Sequence, residues 1–458
     1  MTTAQELAEW ALKLTWSDLP KDVQQIVKEH ALDGFGDAVG GRSTAVASAA
    51  AATVAQYGES SAATIWGSNN KTSVPAAAFV NAILIHALDF DDTHAGGLVH
   101  ATAPTLPVAM ALGESLNVTG EEVIAAYAAG LEIICRLGAA TPHGFHARGL
   151  HATQVCGTIA ASVVAAKLMK LSVSQTVNAI GIAGSFSGGL LEFLNTGSST
   201  KQIHPGIAAQ GGITAANMAA NGASGPESVI EGQYGIFNAL SDRPADIASI
   251  TKDLGKDWQS AQITIKPYPA CQLSHVTLDA VKIAWASAKA TGVSIADIAK
   301  ISAVVHPDSA KIVCHPRSEK NEPKTPYDAK FSLPWSVAAL LIDGALVVVT
   351  FEPESIKRPE VIALARKFEF SEKSEVAAAA AAAGYVEITT TDGRTFSGKV
   401  ASSAGGPNNR LALAALTEKF VLQCSNSQAA GAVADEILHI ESVAQIATIA
   451  AKIATLGG

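Results

Sequence analysis

The sequence predicts a mainly α protein, in which a large helical domain drawn from both chain ends encloses a smaller α+β domain. Three observations carry this. Residues 1 to 265 read as one helix-period apolar run after another. Strand patterns appear only beyond Ile263, and helical texture returns near the C-terminus. Ala is abundant, Gly numbers 38 and aromatic residues make up 5% of the chain, a composition suited to closely packed helices. The expected division is 1–265 with 403–458 for the helical domain and 266–402 for the α+β domain.

The first strong helix opens at Asp22. In DVQQIVKEHALDGFGDAVGG, Val23, Ile26, Val27, Ala31 and Phe35 share one face and a glycine pair closes the run. Further helical runs are expected at 44–57, 75–88, 104–117, 120–138, 151–170, 173–187 and 208–220, with Gly, Pro, Asn or Ser between them. ITIKPYPAC, with two prolines in three residues, reads as a rigid loop. A helix over 275–290, a strand-like ISAVVHP, a helix over 332–343 and LVVVTFEP follow. VEITTTDGRTFSGKV reads as a hairpin turning through a type I′ pair at Asp392-Gly393. The alanine run 377–383 reads as a helix or a solvated linker. No repeat period emerges.

At 458 residues the chain has room for two or three domains, and with 48% hydrophobic and 16% charged residues it is not disordered. Mean hydropathy is positive, at +0.25. No run approaches the roughly 18 to 20 apolar residues of a spanning helix; VAALLIDGALVVVTF is short and carries Asp343. Glu6 and Glu9 stand where a signal peptide needs positive charge, so a cytoplasmic protein is expected. An apolar chain of this size points to a homodimer or other homo-oligomer. With 32 Lys and Arg against 41 Asp and Glu, and no basic run, nucleic acid is not an expected partner. Cys135, Cys156, Cys271, Cys314 and Cys424 are scattered, which argues against a disulfide framework or a structural zinc site. GIAGSFSGG lacks GxGxxG spacing and no strand precedes it, so a dinucleotide fold is disfavoured.

Chemistry concentrates around histidine: eight of the twelve lie between His86 and His275. In D89-F-D-D-T-H94…H100, three carboxylates fall within four positions at the end of a helix. They would raise one another's pKa unless cations or a metal sit nearby, and acidic groups oppose the dipole at a helix C-terminus. The stretch reads as an active-site turn, against a solvated helix end as the plain alternative. It lacks the glycine and terminal glutamate of a calcium loop. His143, His146 and His151 invite a zinc reading, but their spacing matches neither HExxH nor a finger. His151 opens a helix, where the dipole favours a neutral imidazole able to carry a proton; otherwise it caps that helix. KQIHPG sets Lys201 and His204 one turn apart before a Pro-Gly break, a candidate carboxylate clamp. Lys266, in an apolar, proline-stiffened segment, is either a base or anion anchor, or a surface lysine. Cys271 reads as a buried structural cysteine, and His30, His306 and His439 as core or surface residues.

Five segments, FVNAILIHALDFDDTH, GLHATQVCGTIAAS, STKQIHPGIAAQGG, KPYPACQLSH and PYDAKFSLPWSVA, together resemble the MmgE/PrpD family, in family order and across nearly the whole chain. That family includes 2-methylcitrate dehydratase, cis-aconitate decarboxylase and iminodisuccinate epimerase. The resemblance implies a large helical domain, an α+β lid, a homodimer, a pocket between the domains, and catalysis with no metal and no organic cofactor. It implies pocket positions at Asp89, Thr93, His100, His151, Lys201 and Lys266, with His204 and Tyr327 as neighbours. Two departures stand out. KPYPAC replaces a KRFPAH-like segment, so Cys271 occupies a histidine position, and the interval from Asp89 to His100 is one residue longer. HAGGLVHATAP also lacks the AAEWGHPSDN-type insert of the methylcitrate dehydratases, which sets the chain beside the decarboxylase- and epimerase-like members.

The chemistry expected is proton transfer on a small citrate- or aspartate-like polycarboxylate, as a dehydratase, decarboxylase or epimerase. His100, His151, Lys266 and Asp89 are the expected catalytic residues, with Thr93, Lys201, His204 and Tyr327 binding substrate. Cations would stabilise charge beside a carboxylate, and imidazoles would carry the proton. The rival readings are an iminodisuccinate-type epimerase, a zinc-dependent hydrolase built on the His143–His151 group, and a non-catalytic member of the family.

Overall fold

The computed structural model describes residues 1–373, 376, 378–425 and 427–456. The chain is mainly α with a smaller α+β part, and it divides into two compact units. The first comprises Met1–Leu191, Thr200–Ile265 and Ala412–Gly458; the second comprises Glu192–Ser199 and Lys266–Leu411.

In the first unit, α1 (Lys21–Gly41) follows Pro20 and buries Val23, Ile26, Val27, Ala31 and Phe35. The face predicted from spacing is the one turned inward. Along α2 (Val74–His86) every residue from Ala76 to His86 is buried, so His86 ends an otherwise apolar helix deep in the protein. α3 (Thr102–Leu116) and α4 (Gly120–Ala139) follow, the latter started by a Thr119–Glu122 capping box. The hub is α5 (Ala152–Leu168), which packs against α3, α4, α6 (Val173–Ser185) and α7 (Thr200–Ala220). Val155, Ile159, Val163 and Val164 on α5 are fully buried, each worth roughly 1.5–3 kcal/mol of transfer free energy.

The expected break at Pro205-Gly206 is not there. α7 runs from Thr200 through Pro205 without interruption. Proline in the second turn forfeits a single backbone bond, to the carbonyl of Lys201, and the packing of α7 on α5, α2 and α6 outweighs it. Gly206 serves that packing: a Cβ there would lie 2.8 Å from the Phe79 carbonyl oxygen of α2. The continuous helix puts Lys201 and His204 on its first turn.

Between α2 and α3 the chain forms an irregular turn and then β1 (Thr93–His94), paired antiparallel with β2 (Ile263–Thr264).

In the second unit, α8 (Gln272–Ala290) packs on a four-stranded sheet of order β4-β3-β5-β6. β3 (Ile298–Val305) runs parallel to β4 (Phe368–Glu372) and antiparallel to β5 (Gly384–Thr390), which pairs antiparallel with β6 (Thr395–Val400). Glycine at 398 allows α8 to approach β6, since a Cβ would lie 2.0 Å from the Ala280 carbonyl oxygen. α9 (Leu333–Asp343) adds an apolar helix, and Val348–Phe351 form a single 3₁₀ turn. The hairpin stands where expected, but its turn is not type I′. Only Gly393 is left-handed, at φ +86°, and a type I′ turn needs two such residues. Gly393 N donates to Thr390 O, and Thr390 N to Arg394 O, which closes a three-residue loop. The Asp392 carboxylate accepts from Thr390 Oγ1 and Arg394 N, which holds it out of the left-handed region. Within the alanine run, Ala379–Ala381 form a 3₁₀ turn and Ala377 lies outside the described residues.

The chain then returns to the first unit, where α10 (Leu413–Gln423) packs on α1. Among the described residues no helix is long and apolar enough to cross a membrane.

Candidate active site

The turn after α2 carries its three aspartates fully inside the first unit, and each has a different partner. Asp89 adopts a left-handed conformation, φ +53°, which aspartate tolerates better than most residues. Its carboxylate pairs with the Lys201 ammonium from the first turn of α7. Asp91 accepts from His86 Nδ1 at 2.8 Å. Asp92 accepts from the backbone N–H groups of Ala101 and Thr102 at 3.0 and 3.1 Å and from the Thr102 hydroxyl at 2.5 Å, and pairs with His30 at 2.9 Å. Burial alone would raise the Asp92 carboxyl, but the bonds from His30 and Thr102 hold it below the usual carboxylate range. Asp92 thus fastens the start of α3, while Asp89 and Asp91 hold a lysine and a histidine.

Imidazoles gather around this turn. His86 and His100 have ring centroids 4.5 Å apart, His100 and His151 5.7 Å, and His151 and His204 5.2 Å. The tautomer of His100 follows from its neighbours. Its Nδ1 lies 2.8 Å from the Asp92 carbonyl oxygen, which can only accept, so Nδ1 carries the proton and donates. Nε2 then presents a lone pair, 3.4 Å from Lys201 Nζ. Thr93 Oγ1 sits 3.2 Å from Nδ1, and Thr153 Oγ1 accepts from the His100 backbone N–H at 3.1 Å. His86 is oriented in the same way by Asp91, and among the described residues its Nε2 has no hydrogen-bond partner.

His151 and His204 meet through their Nδ1 atoms at 3.1 Å, one donating to the other. His151 is the N-cap of α5 by position, yet its side chain makes no capping bond; burial and the histidine contact account for it. Burial, followed by the Lys201 charge and the neighbouring imidazoles, pushes His151 well below the usual histidine range. Burial, then His86 and Lys201, lowers His204 to about 4. Burial lowers His86 against the pull of Asp91. The interior therefore holds neutral imidazoles beside a fixed lysine–carboxylate pair.

Asp89, Thr93, His100, His151, Lys201 and His204, all expected from the sequence, come together in the first unit. Lys266 and Tyr327 belong to the second unit. Lys266 is completely buried there. Tyr327 packs its ring 6.4 Å from Phe193 and 5.3 Å from Phe331, and the Cys271 N–H donates to the Lys330 carbonyl at 2.9 Å. His86 was not singled out from the sequence. A histidine closing the apolar run FVNAILIH, one turn before DFDD, was the available signal for His86. His30, expected as a core or surface residue, is buried, and its pairing with Asp92, far along the chain, is decided by the fold.

Among the described residues, two groups have donor atoms close enough for one metal ion: His86, His100 and His151, and His86, Asp89 and Asp91, each within 4.8 Å. The set proposed for zinc from the sequence, His143, His146 and His151, is not one of them. The His143 and His146 rings meet tilted, with centroids 5.5 Å apart, and burial, with His143 and Lys201 nearby, lowers His146 to about 3.

Comparison with known proteins gives the family. The MmgE/PrpD N-terminal domain matches residues 5–247 and the MmgE/PrpD C-terminal domain residues 268–444. Human cis-aconitate decarboxylase is 29% identical over 410 residues, covering 87% of this chain and 82% of the relative. The cis-aconitate decarboxylase of Aspergillus terreus is 27% identical over 433 residues, covering 89% and 87%. A cis-aconitate decarboxylase-like protein of Aspergillus oryzae is 27% identical over 378 residues, covering 79% and 78%. The two matched domains span most of the sequence, and the chain belongs to the MmgE/PrpD family.

Proposed function

We propose that this protein is a lyase that decarboxylates cis-aconitate or a closely similar unsaturated polycarboxylate, without a metal or organic cofactor. The observation that carries the reading is the tautomer of His100: a lone pair at Nε2, 3.4 Å from Lys201 Nζ, inside a group of neutral imidazoles. Relatives named cis-aconitate decarboxylase supply the substrate class.

Breaking the bond between carbon and a departing carboxylate leaves an electron pair on carbon, conjugated with the remaining carboxylates, and one proton must be delivered. The Lys201 ammonium, fixed by Asp89, lowers the energy of that developing charge. His100 and His151 are assigned as proton carriers. The depressed basicity of His151 suits an anionic substrate: a bound carboxylate favours imidazolium and draws a proton into the site. Thr93 and His204 are assigned to substrate binding. Lys266 as a catalytic cation and Tyr327 as a binding residue rest on the sequence match, and the whole reading includes a cytoplasmic homodimer.

The test is incubation of the purified enzyme in D₂O with cis-aconitate, citrate, 2-methylcitrate and iminodisuccinate, followed by NMR. Carbon dioxide release with a deuterated product supports the proposal. Deuterium uptake without loss of substrate shifts the activity to epimerisation, and stoichiometric zinc with hydrolysis overturns it.

A further inference from the structure

A second buried cluster of charge lies against the same turn. Asp33 and Asp37 are four residues apart on α1, and Lys419 and Gln423 four apart on α10. Lys419 Nζ sits 2.6 Å from Asp33 Oδ1 and 3.6 Å from Asp37 Oδ1, and Gln423 Nε2 donates to Asp37 at 3.0 Å. The same ammonium donates to the Phe90 carbonyl at 3.0 Å and lies 3.7 Å from the centroid of the Phe90 ring. Phe90 is the residue between Asp89 and Asp91.

An apolar contact between α1 and α10 would join these helices without the cost of desolvating a lysine and two carboxyl groups, a cost that raises Asp33 and lifts Asp37 well above the usual carboxylate range. A lysine adds a directional donor aimed at one carbonyl and a charge that two carboxylates keep in place. The Phe90 carbonyl belongs to the peptide that leads into Asp91. Fixing it fixes the Asp91 carboxylate that orients His86 and, on the other side of Phe90, the backbone of Asp89 that holds Lys201.

We propose that Lys419, braced by Asp33 and Asp37, is a positioning residue for the Asp89–Asp91 turn, so that the returning C-terminal segment sets the geometry of the imidazole group. This rests on the proposed function for its kinetic arm alone.

The experiment compares wild type with Lys419→Met, Lys419→Arg and Asp33→Asn, reading kcat and KM on cis-aconitate, the pH profile, thermal stability and the NMR titration of the buried imidazoles. In Lys419→Met we expect kcat to fall about tenfold or more with KM changed less than about twofold, as misplacement of a reacting group does. The His86 ionisation should move down, because a displaced Asp91 no longer favours the imidazolium, and Lys419→Arg should restore part of both. If Lys419→Met does not fold, Asp33→Asn should show the same changes at smaller size. A loss of thermal stability with unchanged kcat and unchanged imidazole titration overturns the proposal, whichever variant shows it. Wild type that turns over none of the panel refutes the decarboxylase reading instead, and the imidazole titration then decides the positioning role alone.

Discussion

Asp89 and Asp92 lie three residues apart, equally buried, and are held in opposite ways. Asp92 accepts from two backbone N–H groups and a hydroxyl at the start of α3, with His30 beside it. Asp89 has the side chain of Lys201 as its partner, and that lysine in turn reaches His100. Backbone donors cannot titrate or move away, so the Asp92 end of the turn is a fastening. Side-chain donors can exchange partners with a ligand, so the Asp89 end can work on one. The same residue type in one short stretch thus divides into scaffold and chemistry according to what donates to it.

Removing Lys201 should break this contrast most sharply. Lys201→Met is expected to lower kcat/KM by about 10²–10³-fold, the size of losing one preorganised donor to a developing anion, while circular dichroism stays that of wild type. His151→Ala and Lys266→Met should do likewise; wild-type rates in any of them remove that residue from the site. Asp92→Ala should act on folding instead, since breaking a buried pair costs about 3–5 kcal/mol. Denaturant unfolding measures it, and Asp89→Asn should show the reverse pattern, with activity lost before stability. If Asp92→Ala proves as stable as Asp89→Asn, the division between fastening and chemistry is wrong.

The depressed histidines give a pH signature. His94 and His204, each lowered to about 4 chiefly by burial, and His146, lowered to about 3, stay neutral in the folded protein over a range where the unfolded chain binds protons. The unfolded state therefore binds more protons below pH about 6.5, and stability should fall as pH drops from there towards 4. The slope is up to about 1.4 kcal/mol per pH unit for each such histidine. Stability that is flat across this window would show that the imidazoles are charged in the native state. Binding of a polycarboxylate at pH 7 should have the complementary effect, uptake of a fraction of a proton, seen as a binding enthalpy that varies with the ionisation enthalpy of the buffer. Thr93→Ala should have the smallest effect, about 1 kcal/mol or less on kcat/KM, the size of one neutral hydrogen bond lost.

The helices of the first unit were legible because burial on one face imposes a 3.6-residue period, and α1 buries the residues its spacing selects. DFDDTH stood out because three carboxylates within four positions are costly without partners. The partners were another matter. Nothing in KQIHPG distinguishes a broken helix from the continuous α7, since one lost backbone bond is weighed against packing on three other helices. The hairpin was clear from alternation, but side-chain bonds at Asp392 chose the turn type.

By itself, then, the sequence determined the mainly α class, the family, and the residue types available for chemistry, because these follow from local periodicity and from motifs read in order. Only the tertiary structure decided that Asp92 is a fastening, that His86 joins His100 and His151, that His100 presents Nε2, and that Lys419 reaches Phe90 from 329 residues away. A buried charge takes its role from its neighbours, and in this protein those neighbours come from distant parts of the chain.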